Sequence, residues 1–361
     1  MLDQKYNLNH PIVKKKKLCE LLAFDNMKRW DFNIFEVAEV DEENTLLFVA
    51  WAVILSPYAQ AAMENEIKRT EGGEITLEVT DGYNFLGLDL AIDYEKLCNY
   101  FRLVQADYNN VPYHNRVHAA DVVQSLNSLI QMTDGNVSFD EEDLFVLLVS
   151  SAIHDVKHPG RNNAFQVKSF SDLALSWNDA SVLENEHASQ AFKIMFQEDD
   201  AEFLSCDKLQ YAAIRKKMID AVLHTDMTKH FATVDKIKST AANKDWGQLD
   251  PDTRWEVLMY MLHLADISNP AKGDPMFKIW TDRCLEEFFA QGDKEKSLGL
   301  DISPQCDRAT TKRPDSQIGF IKFVVKPAYE VLGDIIPGVK ENVLPVIVNN
   351  LIYWSNEKEM E

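Results

Sequence analysis

Three observations predict an all-α fold. Glycine (13) and proline (12) are sparse in 361 residues, too few for a sandwich or barrel that turns roughly every ten residues. Apolar side chains recur three and four apart, as in Trp255, Leu258, Leu262 and Ala265, which places them on one helix face. Helix boundaries are also readable. Ser138-Phe139-Asp140-Glu141 has the form of a capping box ahead of the run Leu144–Ile153, and Pro159-Gly160 cannot continue that helix, which should stop near His158.

Taken in order, residues 1–25 read as a polar lead-in or linker and 26–361 as one domain. Trp30, Phe32, Ile34 and Phe35 open the domain with a dense apolar cluster. Thr45–Tyr58 follows as a helix, and its apolar run Leu46–Leu55 is too short to span a bilayer and fits a buried helix. Glu64–Gly87 is polar and holds Gly72-Gly73 and Asp81-Gly82, so a loop or insertion is expected across about residues 60–90. Helical patterning dominates from Tyr94 onward. Asn178 or Asp179 can cap a helix through Phe196, and the helix holding Trp255 delivers Asp266 at its end, just before Ser268-Asn269-Pro270. Phe320–Val325 and Val343–Trp354 complete the helical stretches.

Hydrophobic residues make up 46% and charged residues 26%, an ordinary balance for a soluble domain. The formal net charge of -21 argues against nucleic acid or an anionic membrane as the main partner. It would also repel an anionic substrate, unless bound cations dominate the local field. The one basic block, Lys14–Lys17, reads as a solvated tail. Five cysteines (Cys19, Cys98, Cys206, Cys284, Cys306) are scattered without CxxC spacing, and no signal-peptide pattern is visible. A reducing, cytoplasmic setting is expected. That leaves room for the chain to be the cytosolic part of a larger, membrane-anchored protein.

The chemistry concentrates in histidine and aspartate. Of nine histidines, eight fall between His114 and His263. His114 and His118 stand four apart, a spacing that shares a helix face. Alone, such a pair is more often a surface accident. His154 and His158 repeat the spacing with Asp155 beside the first, and two such pairs together point to a metal centre of imidazole and carboxylate ligands. Asp266 follows Leu262-His263-Leu264-Ala265 and so lies in or beside the core. A buried carboxylate needs a cationic partner, whether an arginine, a helix end or a metal ion, and four histidines favour the metal. By themselves Glu184 would be an exposed helix residue, Gln317 unremarkable and Phe320 core.

Together these residues resemble the class I cyclic nucleotide phosphodiesterases. The signature His-Asp-x2-His-x4-Asn is matched at His154, Asp155, His158 and Asn163. Around it, in the family's order, stand Tyr113-His114-Asn115-Arg116-Val117-His118-Ala119-Ala120-Asp121, Val182-Leu183-Glu184-Asn185 and Thr225-Asp226-Met227. Ala265-Asp266-Ile267-Ser268-Asn269-Pro270, Glu286-Glu287-Phe288-Phe289 with Gln291-Gly292-Asp293, and Ser316-Gln317-Ile318-Gly319-Phe320-Ile321 follow. The resemblance runs over roughly residues 30–350 and is weakest at 60–90.

The resemblance implies a compact all-helical catalytic domain that hydrolyses cAMP, cGMP or both to the 5′-monophosphate, through a hydroxide shared by two metal ions. His118, His154, Asp155 and Asp266 would hold zinc. Asp155 would reach a second ion, magnesium or manganese, whose waters are held by His158, Glu184 and Thr225. His114 would be the general acid that protonates the departing 3′ oxygen. Gln317 would read the purine, Phe320 stack on it, and Tyr113, Asn269 and Cys284 line the same pocket. Cys284 departs from the branched aliphatic usual at its position and loosens that clamp. Lys157 replaces a common acidic residue but is not a ligand. A primary amide presents donor or acceptor, so Gln317 suits both purines and dual activity is expected. The expected partner is a small cyclic nucleotide, with no nucleic acid and no membrane contact within this chain; a homodimer and regulatory domains outside the chain stay open. Two other readings compete: a different HD-type phosphoester hydrolase, which has no use for Gln317 and Phe320, and a silent binding module, which has no use for His114 and an intact ligand set.

Overall fold

The computed structural model describes residues 16–64, 68–69, 75–76, 82–133, 137, 139–198, 200–242 and 249–360. In chain order the helices are α1 (Lys16–Leu21), α2 (Phe24–Met27), α3 (Ile34–Asp41), α4 (Thr45–Ile54), α5 (Ser56–Glu64), α6 (Tyr94–Asp107), α7 (Arg116–Gln131) and α8 (Glu141–Ile153). They continue as α9 (Asn163–Lys168), α10 (Asp172–Trp177), α11 (Val182–Gln197), α12 (Lys208–Leu223), α13 (His230–Ala241) and α14 (Pro251–Asp266). The last are α15 (Met276–Ser297), α16 (Arg313–Phe320), α17 (Lys326–Ile335), α18 (Pro337–Asn342) and α19 (Leu344–Met360). The one strand pair among the described residues is β1 (Lys68–Arg69) against β2 (Ile75–Thr76), antiparallel, inside the expected insertion. The fold is all-α apart from that short ladder.

The core is built on α7. All ten residues of α4 are buried, as is α7 from Val117 to Ile130, and α8 is buried from Asp143 onward. α7 packs against α4, α8 and α14. α4 and α8 are apolar nearly all round and so lie inside the bundle, whereas α7 also buries polar side chains, its Gln124, Asn127 and Ser128 donating to the carbonyls of Met27 and Lys28. This packing brings the first turn of α7 to the C-terminal ends of α8 and α14. His118, His154 and Asp266 sit at those three places.

Several boundaries differ from expectation. Ser138 lies outside the described residues, and Asp140 caps α8 instead, accepting from the Glu142 N–H at 2.9 Å. α8 ends at Ile153 rather than near His158, and residues 154–157 form turns with Lys157 at φ 66°. His154 and His158 therefore share no helix face. Asn178 terminates α10 in the left-handed region and starts no helix. α11 is capped from a distance, its Leu183 N–H donating to Asn163 Oδ1 at 2.9 Å. Within the stretch read as a polar lead-in, Leu18 and Leu22 are fully buried in the core. The sequence Lys16-Lys17-Leu18 hides this because its polar faces outnumber its apolar one.

Between α16 and α17 the chain runs through a π-turn, Ile321–Val325. Pro327 is the cause: it has no N–H to give, and its ring would strike the carbonyl four residues earlier, so the helix widens. No helix among the described residues is long and apolar enough to cross a membrane.

Candidate active site

α7 opens on Asn115, whose Oδ1 accepts from the N–H groups of Val117 at 2.9 Å and His118 at 3.3 Å. His114 thus precedes the helix instead of sharing its face with His118. His118 Nε2 stands 3.0 Å from Asp266 Oδ1 and 3.5 Å from Asp155 Oδ2. His154 Nε2 stands 3.1 Å from Asp155 Oδ2 and 3.3 Å from Asp266 Oδ1. Both imidazoles are fully buried. The four sequence-predicted ligands converge.

The donor set suits a cation. His154 Nδ1 donates to the Ser151 carbonyl at 2.8 Å, which leaves Nε2 with its lone pair. That lone pair faces two carboxylate oxygens, and Asp155 Oδ2 is buried without a hydrogen-bond donor. Lone pairs facing lone pairs repel unless positive charge lies among them. A proton on Nε2 can supply that charge in place of a metal ion: burial opposes it, but Asp155 and Asp266 hold His154 well above the imidazole range, and His154 in turn holds both carboxyls well below theirs.

Beside this cluster, Glu287 organises His114. Its Oε2 accepts from the N–H groups of Tyr113 at 2.9 Å and His114 at 3.1 Å, and its Oε1 is bonded to His114 Nδ1. Burial works against a charged His114 ring, but Glu287 and then Asp155 outweigh it and raise it to about 9. Burial likewise opposes the Glu287 charge, and His114 brings the carboxyl down to about 2. His158 stacks on His114 with ring centroids 3.9 Å apart. Its Nδ1 accepts from the Gly160 N–H at 3.0 Å, and burial and the charge of His114 keep it neutral. Gly160 itself needs its left-handed backbone (φ 70°), and a Cβ there would meet Val111 at 3.1 Å.

Glu184 is oriented by Asn163, whose Nδ2 donates to both carboxylate oxygens at 3.1 and 2.9 Å. Burial pushes Glu184 up to about 7. Thr225 Oγ1 donates to the Val222 carbonyl at 2.8 Å. His187, which sequence reasoning left without a role, lies 3.6 Å from Asp155 through Nε2 and donates Nδ1–H to the Val156 carbonyl at 2.7 Å.

These groups share one cavity of about 490 Å³. Its wall includes Tyr113, His114, Asp155, His158, Glu184, Thr225, Asp266, Asn269, Cys284, Gln317 and Phe320, with Leu285 and Phe288 adding apolar surface. The volume fits a drug- or nucleotide-sized ligand. Of the ionisable residues named above, His118, His154 and Glu287 lie behind the wall. Glu287 and Asn163 were visible in the motifs but assigned nothing; an acidic pair on a helix gives no sign of which carboxylate turns inward.

A sequence profile described as 3′5′-cyclic nucleotide phosphodiesterase matches residues 113–346. The chain belongs to that family. Among its relatives in this phosphodiesterase family is the 3′,5′-cyclic-AMP phosphodiesterase 4C of Rattus norvegicus. It is 33% identical over 339 residues, covering 92% of this chain and 58% of that protein. The 3′,5′-cyclic-AMP phosphodiesterase isoform F of Drosophila melanogaster is 40% identical over 251 residues, covering 68% of this chain and 38% of that protein. The chain thus spans less than two thirds of these relatives' length. Among solved structures, the phosphodiesterase domain of the RhoPDE fusion protein from the choanoflagellate Salpingoeca rosetta superposes with a TM-score of 0.77 at 28% identity. That match covers 95% of this chain and 98% of the other.

Proposed function

We propose that this phosphodiesterase-family chain hydrolyses 3′,5′-cyclic nucleotides, cAMP or cGMP or both, to the 5′-monophosphate in the cytoplasm. The observation that carries the proposal is the shared cavity, which joins a buried imidazole–carboxylate cluster to a wall bearing Gln317 and Phe320.

His118, His154, Asp155 and Asp266 would hold zinc, offering two nitrogens and two oxygens as zinc accepts. Asp155 would also serve a second ion, magnesium or manganese, whose waters His158, Glu184 and Thr225 would hold. When bound, the ions offset phosphoryl charge and bring the pKa of water down to roughly 7. His114 carries the proton for the leaving 3′ oxygen. Its Nδ1 is held by Glu287, so Nε2 is the nitrogen that can deliver it. The Glu287 carboxylate keeps the ring charged at neutral pH, as a donor must be. Asn163 holds Glu184 with both oxygens engaged and so fixes where it accepts.

On the far side, Phe320 offers its face to the purine and Gln317 its amide. Tyr113, Asn269 and Cys284 close the pocket. Gln317 can turn to present either end of its amide, which supports activity on both purines. The relatives' names favour cAMP as one of them. The test is an assay of product formation from cAMP, cGMP and bis(p-nitrophenyl) phosphate with zinc and magnesium supplied. Turnover of at least one cyclic nucleotide is expected. Cleavage of the generic diester alone would instead mark a broader phosphoester hydrolase, and no turnover a silent binder.

A further inference from the structure

One face of α15 carries the buried polar side chains Glu287, Gln291 and Glu295, each one helical turn from the next. They are 3%, 2% and 0% exposed. Of these, Glu287 acts on His114 as described above; the other two grip the short helix α9. Gln291 Oε1 accepts from the Asn162 N–H at 2.9 Å, and its Nε2 donates to Asn162 Oδ1 at 3.1 Å. The same Nε2 donates to Glu295 Oε1 at 2.9 Å. Glu295 also accepts from Lys168 Nζ at 2.7 Å and from the Ser303 N–H at 2.6 Å. Asn162 caps α9 by accepting from the Phe165 N–H, and Lys168 is the last residue of that helix. Both ends of α9 are therefore tied to a single face of α15.

The network admits one orientation of the Gln291 side chain. Turned over, it would set its N–H groups against the Asn162 backbone N–H, which cannot accept, and its oxygen against the Glu295 carboxylate. Burial opposes the charge on Glu295, but Lys168 and Ser303 outweigh it and hold the carboxyl below its usual range. Asn163 follows Asn162 directly and grips both oxygens of Glu184. Glu184 is in the cavity wall, whereas Gln291 and Glu295 stand behind it.

The geometry points to Gln291 and Glu295 as positioning residues for the second metal ion. They hold α9 in place so that Asn163 presents Glu184 to the waters of that ion. Because Glu287 on the same helix face holds His114, α15 places the proton donor and the second ion's carboxylate together. This deepens the proposed function and rests on it.

The test compares the wild-type chain with Gln291→Met, Lys168→Met and Lys168→Arg. Gln291→Met keeps the length of the side chain and removes its hydrogen bonds. Lys168→Met cuts the network at its more exposed end and carries the test alone if Gln291→Met does not fold. The readouts are zinc content, thermal midpoint, Mn²⁺ affinity of the zinc-loaded chain by electron paramagnetic resonance, and the magnesium dependence and pH profile of cyclic nucleotide hydrolysis. In Gln291→Met the Mn²⁺ Kd and the magnesium half-saturation should both rise roughly tenfold or more, the scale of losing a group behind a metal site. Zinc content and the alkaline limb should hold, since His118, His154 and the Glu287–His114 contact are untouched. Lys168→Met should shift the same two constants by a smaller factor, and Lys168→Arg should stay near wild type. Unchanged Mn²⁺ affinity in the folded variants of an active enzyme overturns the inference. So does an equal loss of zinc and of the second ion with a lowered midpoint, the mark of a merely structural network. A wild-type chain inactive on both cyclic nucleotides overturns the functional reading itself, and the inference with it.

Discussion

The two ends of the cavity are built on different principles. At the metal end each side chain is fixed by a neighbouring group: the Ser151 carbonyl holds His154, the Asn163 amide holds Glu184, the Glu287 carboxylate holds His114, and the Gly160 N–H holds His158. At the base end Phe320, Cys284, Leu285 and Phe288 offer mostly apolar surface, with Gln317 and Asn269 as the amides. The first end must set charge and proton position, which tolerates little movement. In the proposed function the second grips a flat ring, which stacking achieves with fewer constraints. Substitutions should therefore be severe and metal-linked at one end, and graded and metal-independent at the other.

The largest effect should come from Asp266→Ala. It removes a ligand and leaves two buried imidazoles facing a single carboxylate, so tightly held metal and turnover should disappear together. The loss should exceed the roughly 10⁴-fold limit of a lost proton donor. An active, metal-replete variant would remove Asp266 from the centre.

Next comes His114→Ala, which should lower kcat by about 10²–10⁴-fold with metal content unchanged. The companion Glu287→Gln is read by pH. His114 is raised to about 9, so its charged form is present below that pH and is lost as pH climbs through it. Activity needs the charged form, and nearby cations oppose it, so the alkaline limb should fall at or below about 9. Glu287→Gln takes away the main source of the increase and should move that limb down by about one pH unit or more. A limb that does not move would separate His114 from Glu287.

At the base end, Phe320→Ala should raise KM for cyclic nucleotides by about tenfold, the value of one base–aromatic stack, while metal content and cleavage of a base-free diester persist. The smallest effect belongs to Cys284→Val. Added apolar bulk opposite the ring should lower KM by about two- to fivefold, within the worth of a methylene or less. A higher KM would show that the thiol is already in contact and the clamp is not loose.

The same contrast explains what the sequence made legible. The quartet His118, His154, Asp155 and Asp266 was named by the family resemblance, since the spacing of four by itself picked out pairs that share no helix face; the converging ends of α7, α8 and α14 bring the four together. The helical fold was readable from apolar spacing, most clearly in α14, which ends at Asp266 as expected. What was not legible depends on backbone detail. α8 stops at Ile153, where His154 reaches back to the Ser151 carbonyl, an ending that Pro159-Gly160 five residues later does not announce. His114 leaves the helix because Asn115 caps it. Glu287 differs from Glu286 only in the direction it faces: one is buried against His114, the other pairs with Arg308 on the surface. The π-turn after Phe320 could have been inferred from Pro327, but only once a continuous helix through that position was known.

The central claim is that imidazoles and carboxylates from separate helices hold cations without which the site does no chemistry. The direct measurement is metal analysis of the purified chain alongside initial rates on cAMP and cGMP, before stripping with a chelator and after zinc and magnesium are restored. The account predicts retained zinc, rates that vanish on stripping, and rates that return when both ions are added back. Full turnover by protein shown to be metal-free would contradict it.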